Sequence, residues 1–133
     1  MVIPTYASII NSKKVKFDVA SGCAQVDEHF LRYCMSFMLA NVRVDDEWYL
    51  DQYPDVGAAI ANGVISDCKT HFMKFGFYEH RLPHRIIVDE SWYLRSYKDI
   101  REAVAKGAFR NGQEHFVEFG FREGRLPYAN FSL

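Results

Sequence analysis

Three sets of side chains in this 133-residue chain stand at spacings that could do chemistry. His71 and His115 lie 44 positions apart, each opening a run His-Phe-x-x-Phe-Gly-Phe. Cys68 precedes His71 by three positions, which on a helix puts a thiol and an imidazole on one face, as a zinc site would use them. The second run has Gly112 in that place, so the ligand pair is not repeated, and His29 and Cys34 could complete it only if distant segments happened to face each other. Each histidine reads more simply as a core residue beside aromatics, bonded to a backbone carbonyl; no metal and no cofactor is expected. Glu79 with Arg81, and Glu123 with Arg125, are acid–base pairs just after a glycine. A general acid needs a desolvated or charge-coupled setting, and these arginines are expected instead to tie a closing loop to helix-end carbonyls or to an acidic first helix. Trp48-Tyr49 and Trp92-Tyr93 complete the set. Neighbours on a helix point about 100° apart, so one ring of each pair is expected near the surface, where a sugar could stack. The candidate glycan site is therefore Trp48, Tyr49, Arg81, Trp92, Tyr93 and Arg125, but the simpler reading is that both rings pin the first helix to its neighbours.

Enzyme signatures are otherwise missing. There is no Gly-x-Ser-x-Gly, P-loop, dinucleotide-binding glycine pattern or His-Glu-x-x-His, and the chain is expected not to be an enzyme. Sixteen Lys and Arg balance seventeen Asp and Glu, a net charge of −1 that argues against nucleic acid as a partner. With 49% hydrophobic and 25% charged residues the chain has a globular composition. Its longest apolar stretch, near Cys34, is too short to span a bilayer. The N-terminus shows no signal-peptide pattern, and three unpaired cysteines without a CxxC fit a reducing compartment; the expected location is the cytoplasm.

The elements that must position these residues come from an internal repeat. Val44-Asp45-Asp46-Glu47-Trp48-Tyr49-Leu50 returns as Val88-Asp89-Glu90-Ser91-Trp92-Tyr93-Leu94, and each copy closes with Glu-x-Arg-Leu-Pro. Residues 44–83 and 88–127 share 19 identities in 40 aligned positions, at a constant offset of 44. A partial copy, residues 26–43, carries Glu28-His29-Phe30-Leu31-Arg32-Tyr33 and reads as one helix running to about Asn41 that caps the array. The fold class expected is all-α: a tandem repeat of three short helices per roughly 44-residue unit, in one compact domain overall.

Each helix has a reason. Asp45 can cap the first, which carries Trp48, Tyr49 and Tyr53. Pro54 stops it and Asp55 opens the second, with Val56, Ala59 and Ile60 on one face; in the second copy Lys98 replaces the proline and the break rests on Asp99. Gly63 and Gly107 suit the left-handed residue that ends a helix. Ser66 or Asn111 can cap the third helix, whose stripe is Cys68, His71, Phe72 and Phe75, and Gly76 and Gly120 are expected to end it by the same left-handed device. Within the arm of residues 1–25, Val15, Phe17 and Val19 alternate with Lys14, Lys16 and Asp18, the period of a half-buried strand. A small hairpin is expected there, with Asn11-Ser12 turning the chain from Ala7–Ile10. Residues 128–133 form a C-terminal tail.

The run Trp48-Tyr49-Leu50-Asp51-Gln52-Tyr53-Pro54-Asp55-Val56, and the closing Gly120-Phe121-Arg122-Glu123-Gly124-Arg125-Leu126-Pro127, resemble a short helical repeat of bacterial proteins. That repeat is found beside glycosyltransferase domains and in polysaccharide-related proteins. The likeness covers residues 44–127, departing from the pattern at His80 and at Lys98-Asp99-Ile100. It implies a non-catalytic accessory module near glycan synthesis and no transferable activity. Residues 44–83 carry a net charge of −4, residues 88–127 none and residues 1–43 +2, a distribution that favours contacts between chains. The function expected is protein–protein assembly or self-association, including a homodimer through residues 1–25. A carbohydrate-binding module is the alternative, and a small metalloprotein or enzyme the weaker one.

Overall fold

A computed structural model describes residues 4–133. They form two compact units, 1–41 and 42–133, where the sequence led us to expect one. The first three residues of the N-terminal arm lie outside the described residues.

In the first unit, Thr5 accepts a bond from the Ser8 amide and starts helix α1 (Tyr6–Asn11). Strands β1 (Val15–Asp18) and β2 (Cys23–Val26) pair antiparallel, with Val15 opposite Val26 and Phe17 opposite Ala24. The hairpin is real but its expected partner strand is not: residues 7–10 are helical. Asn11-Ser12 does not turn two strands, because the Ser12 hydroxyl donates to the Ile9 carbonyl and closes α1. The turn lies at 19–22 instead, where Asp18 accepts from the Ala20 amide and the Ser21 hydroxyl, and Gly22 takes φ +68°. Asp27 then caps α2 (Glu28–Leu39) by accepting from the Phe30 amide.

The second unit opens with α3 (Asp46–Gln52), capped by Asp45, followed by α4 (Pro54–Ala61) with the proline at its first position. Helix α5 (Cys68–His71) runs directly into a wider π turn (Phe72–Gly76). The same order returns as α6 (Glu90–Ser96), α7 (Lys98–Ala105) and α8 (Gly112–His115), again with a π turn (Phe116–Gly120). Backbone bonds tie each copy's start to its end: the Asp45 amide donates to the Pro83 carbonyl, and the Asp89 amide to that of Pro127. The protein is thus mainly helical, with one small antiparallel hairpin.

Gly63 and Gly107 take the left-handed conformation expected of them, at φ +69° and +79°. Two other local expectations need correction. The cap of α5 is Asp67, which accepts from the Thr70 amide, while the Ser66 hydroxyl bonds to the Asp67 carboxylate and the Thr70 hydroxyl and caps no amide. Asp67 is the true counterpart of Asn111, which caps α8. Gly76 and Gly120 do not end their helices by positive φ; the left-handed residues come later, at His80 (+59°) and Gly124 (+75°).

Candidate functional site

Tyr49 is fully buried and its hydroxyl shares a hydrogen bond with His71 Nδ1 at 3.1 Å; Tyr93 repeats this with His115 Nδ1 at 2.9 Å. A Cβ on Gly76 would collide with the Tyr49 hydroxyl, and one on Gly120 with that of Tyr93. Each glycine is therefore present for close approach: the π turn brings its bare Cα against the phenol. Burial holds both imidazoles below their ordinary value of 6.5, so they are neutral near pH 7. The same burial raises the Tyr49 and Tyr93 hydroxyls well above the usual phenol range. The histidines do pack among aromatics, but their partner is a tyrosine hydroxyl and not the backbone carbonyl expected. Cys68 is buried and its thiol is pushed up by desolvation and then by Asp46, the reverse of what a metal ligand needs. Among the described residues no group of three or more His, Cys, Asp or Glu side chains could hold a metal ion.

Arg81 and Arg125 are clamps. The Arg81 guanidinium donates two parallel bonds to Asp55 (2.9 and 2.8 Å) and a third to Glu79 (2.7 Å), and it lies 4.9 Å over the Tyr53 ring. Arg125 does the same with Asp99, Glu123 and Tyr97. The arginines thus reach the carboxylate that opens the second helix, not helix-end carbonyls or the acidic first helix. Those bonds hold Asp55 and Asp99 below the usual carboxylate range. The Tyr53 and Tyr97 hydroxyls complete the loop by accepting from the Leu82 and Leu126 amides. This explains why α6 and α7 separate without a proline. Tyr97 and Asp99 are each held from outside the helix, by the loop that Arg125 carries.

Of the six candidate glycan residues, the structure brings Tyr49 close to Arg81 in one copy and Tyr93 close to Arg125 in the other, but for internal use. Tyr49 and Tyr93 offer no face to a sugar, and the arginines are committed to carboxylates. Trp48 and Trp92 are half-buried, edge-on to Tyr53 and Tyr97. Trp48 also lines a groove of about 400 Å³ with Asp51, Gln52, Arg85 and Gln113. The part of Tyr53, Tyr97, Asp55 and Asp99 in the arginine clamps was missed in the sequence; their identity between copies was the available signal. Lys69 and Gln113 were missed too, since they differ in type yet act alike. Lys69 Nζ donates to the Val42 carbonyl, and Gln113 Nε2 to that of Ile86, 44 positions on.

The first unit has the opposite character. Among its described residues only Leu39 is buried, and Phe17, Val19, Leu31 and Met38 are exposed. Pro4, Ile9, Phe30, Tyr33, Cys34 and Phe37 line an apolar groove of about 240 Å³. Ser8, Lys14 and His29 border the larger opening beside it. Among the described residues no helix is long and apolar enough to cross a membrane. Comparisons with protein-family models, curated proteins and solved structures gave no match.

Proposed function

We propose that this protein is a non-catalytic interaction module in which two stacked copies of a helical unit, residues 44–83 and 88–127, support an N-terminal segment that docks a protein partner or a second copy. The observation that carries the reading is the bareness of residues 4–41. A two-stranded hairpin does not hold by itself in water, and this one exposes Phe17, Val19 and Val26. Apolar surface left in this state is the mark of an interaction site. Nothing comparable points to catalysis, since the titratable groups of the second unit described above satisfy one another. The likeness of residues 44–127 to a glycosyltransferase-associated repeat is what suggests bacterial polysaccharide machinery as the setting.

The test uses the full chain as bait in its native cell, beside a Phe17→Glu, Leu31→Glu variant whose helicity is checked by circular dichroism. The expected result is a partner, or a second copy, held by the wild type and lost in the variant, with the complex re-forming from purified components. Saturable binding to a bacterial glycan, lost in Trp48→Ala and unaffected by the N-terminal variant, would overturn the reading in favour of a carbohydrate-binding module.

A further inference from the structure

Two asparagines are followed by glycine, in Asn62-Gly63 and Asn111-Gly112, while Asn11, Asn41 and Asn130 precede the bulkier Ser12, Val42 and Phe131. In an Asn-Gly pair the glycine's backbone nitrogen reaches the asparagine side chain with no Cβ in the way. Once that nitrogen has given its proton to hydroxide, it attacks the carboxamide carbon; a C–N bond forms and the side-chain nitrogen leaves as ammonia. Water then opens the cyclic succinimide at either carbonyl, giving aspartate or isoaspartate. The net change is water in and ammonia out.

The two pairs are chemically alike, but their surroundings differ. Gly112 is buried, and its amide donates to Glu90 Oε1 at 2.5 Å while the Gln113 amide donates to Oε2 at 3.2 Å. A nitrogen anion forming beside that carboxylate is opposed by its charge. A Cβ on Gly112 would meet the Tyr93 ring at 2.8 Å, so the backbone there has no room to swing. Asn111 is itself held as the cap of α8, its Oδ1 accepting from the Glu114 amide at 2.9 Å. Asn62 stands exposed at the end of α4, and its side chain makes no hydrogen bond among the described residues. The Gly63 amide donates to the Ile60 carbonyl at 3.0 Å, and a Cβ on Gly63 would meet nothing within 4 Å. Attack requires Asn62 to leave its helix-end ψ of 2°, which breaks that last-turn bond. An exposed helix end opens at far less cost than a buried cap.

We propose that Asn62 is a site of spontaneous deamidation in the folded protein, and that the fold protects Asn111 from the same reaction. Lys106 holds the place of Asn62 in the second copy, so only the first copy changes. Residues 44–83 already carry seven acidic against three basic side chains, and conversion adds a further negative charge there. The isoaspartate product also lengthens the backbone by a methylene at the end of α4.

The test is peptide mapping by mass spectrometry of the full chain, aged in mildly alkaline buffer with and without urea. In the folded chain we expect Asn62 to convert about tenfold or more faster than Asn111, to a mixture of aspartate and isoaspartate. In urea the two sites should convert at similar rates. Glu90→Gln, its fold verified by circular dichroism, should speed Asn111 and leave Asn62 unchanged. Equal rates at the two sites in the folded chain overturn the proposal, as does an Asn62 that stays intact while the unfolded chain converts. Aspartate without isoaspartate overturns the succinimide route. An Asn111 indifferent to Glu90→Gln overturns the protection assigned to that carboxylate. None of these readouts depends on a partner of the N-terminal unit, so this idea and the docking role fail separately.

Discussion

His80 carries a backbone conformation that its counterpart, Gly124, adopts without strain. A side chain at φ +59° costs roughly 1–2 kcal/mol relative to ordinary backbone, and nothing in the hydrogen bonding of the loop requires an imidazole there. His80→Gly should therefore stabilise the protein by about 1 kcal/mol, seen as a rise of a few degrees in thermal midpoint. An unchanged or lower midpoint would mean that the histidine makes a compensating contact. The paired sites Tyr49–His71–Gly76 and Tyr93–His115–Gly120 show the opposite economy, in which the phenol hydroxyl bonds to the imidazole Nδ1 and sits where a glycine Cβ would be. Their roles were only partly legible in the sequence. The repeat marked all six residues as special, and the helical spacing marked the histidines as inward-facing. That a glycine accommodates a phenol from another helix depends on tertiary packing, which no local pattern encodes.

At the scale of elements, the third helix of each copy is where sequence and structure diverge most. Its stripe and its cap region were readable; the π turn over Phe72–Gly76 was not, because a single five-residue turn leaves no periodic trace. The break between the first two helices was legible in one copy through Pro54, and in the other it depends on Tyr97 and Arg125, far apart in sequence. The β1 alternation was legible, but its partner was misplaced because Asn11-Ser12 suits a helix end as well as a hairpin turn. Gly76→Ala is the sharpest probe of the π turn. The new methyl would drive the Tyr49 hydroxyl from His71, and overpacking of this kind costs about 1–3 kcal/mol. Urea unfolding of Gly76→Ala beside Gly57→Ala would separate this from simple loss of backbone freedom, since Gly57 lies within α4 without a left-handed backbone and a Cβ there makes only an ordinary contact with Leu50. The Gly76 change should shorten hydrogen-exchange protection around α3 and the third helix, and the Gly57 change should not. Equal, local effects from both would show that the Tyr–Gly contact contributes nothing.

For the molecule as a whole, acid is the expected weakness. His71 and His115 are kept neutral by burial, their folded values lying below 6.5, so the unfolded chain takes up protons first as pH falls. The stability they lend is complete above about pH 6.5 and declines below it towards their folded values. A second loss follows in stronger acid. Asp55 and Asp99 are held below 3.8 by Arg81 and Arg125, so their contribution is present above that value and lost as pH falls through the folded ones. Urea midpoints measured from about pH 8 to pH 3 should therefore decline in two stages, with no matching decline on the alkaline side of neutrality. A flat profile between pH 7 and 5 would show that the imidazoles gain no net strain on protonation. The arginine clamps have one more consequence. Because Arg81 and Arg125 spend their donors on carboxylates of their own copy, each copy's polar framework is satisfied from within, and exposed positions away from it are released from any duty to it. Asp51 against Arg95 and Lys74 against Glu118, all exposed, already differ in this way between two halves of one chain. Such a scaffold can acquire a new addressee by surface substitution alone, without renegotiating its architecture.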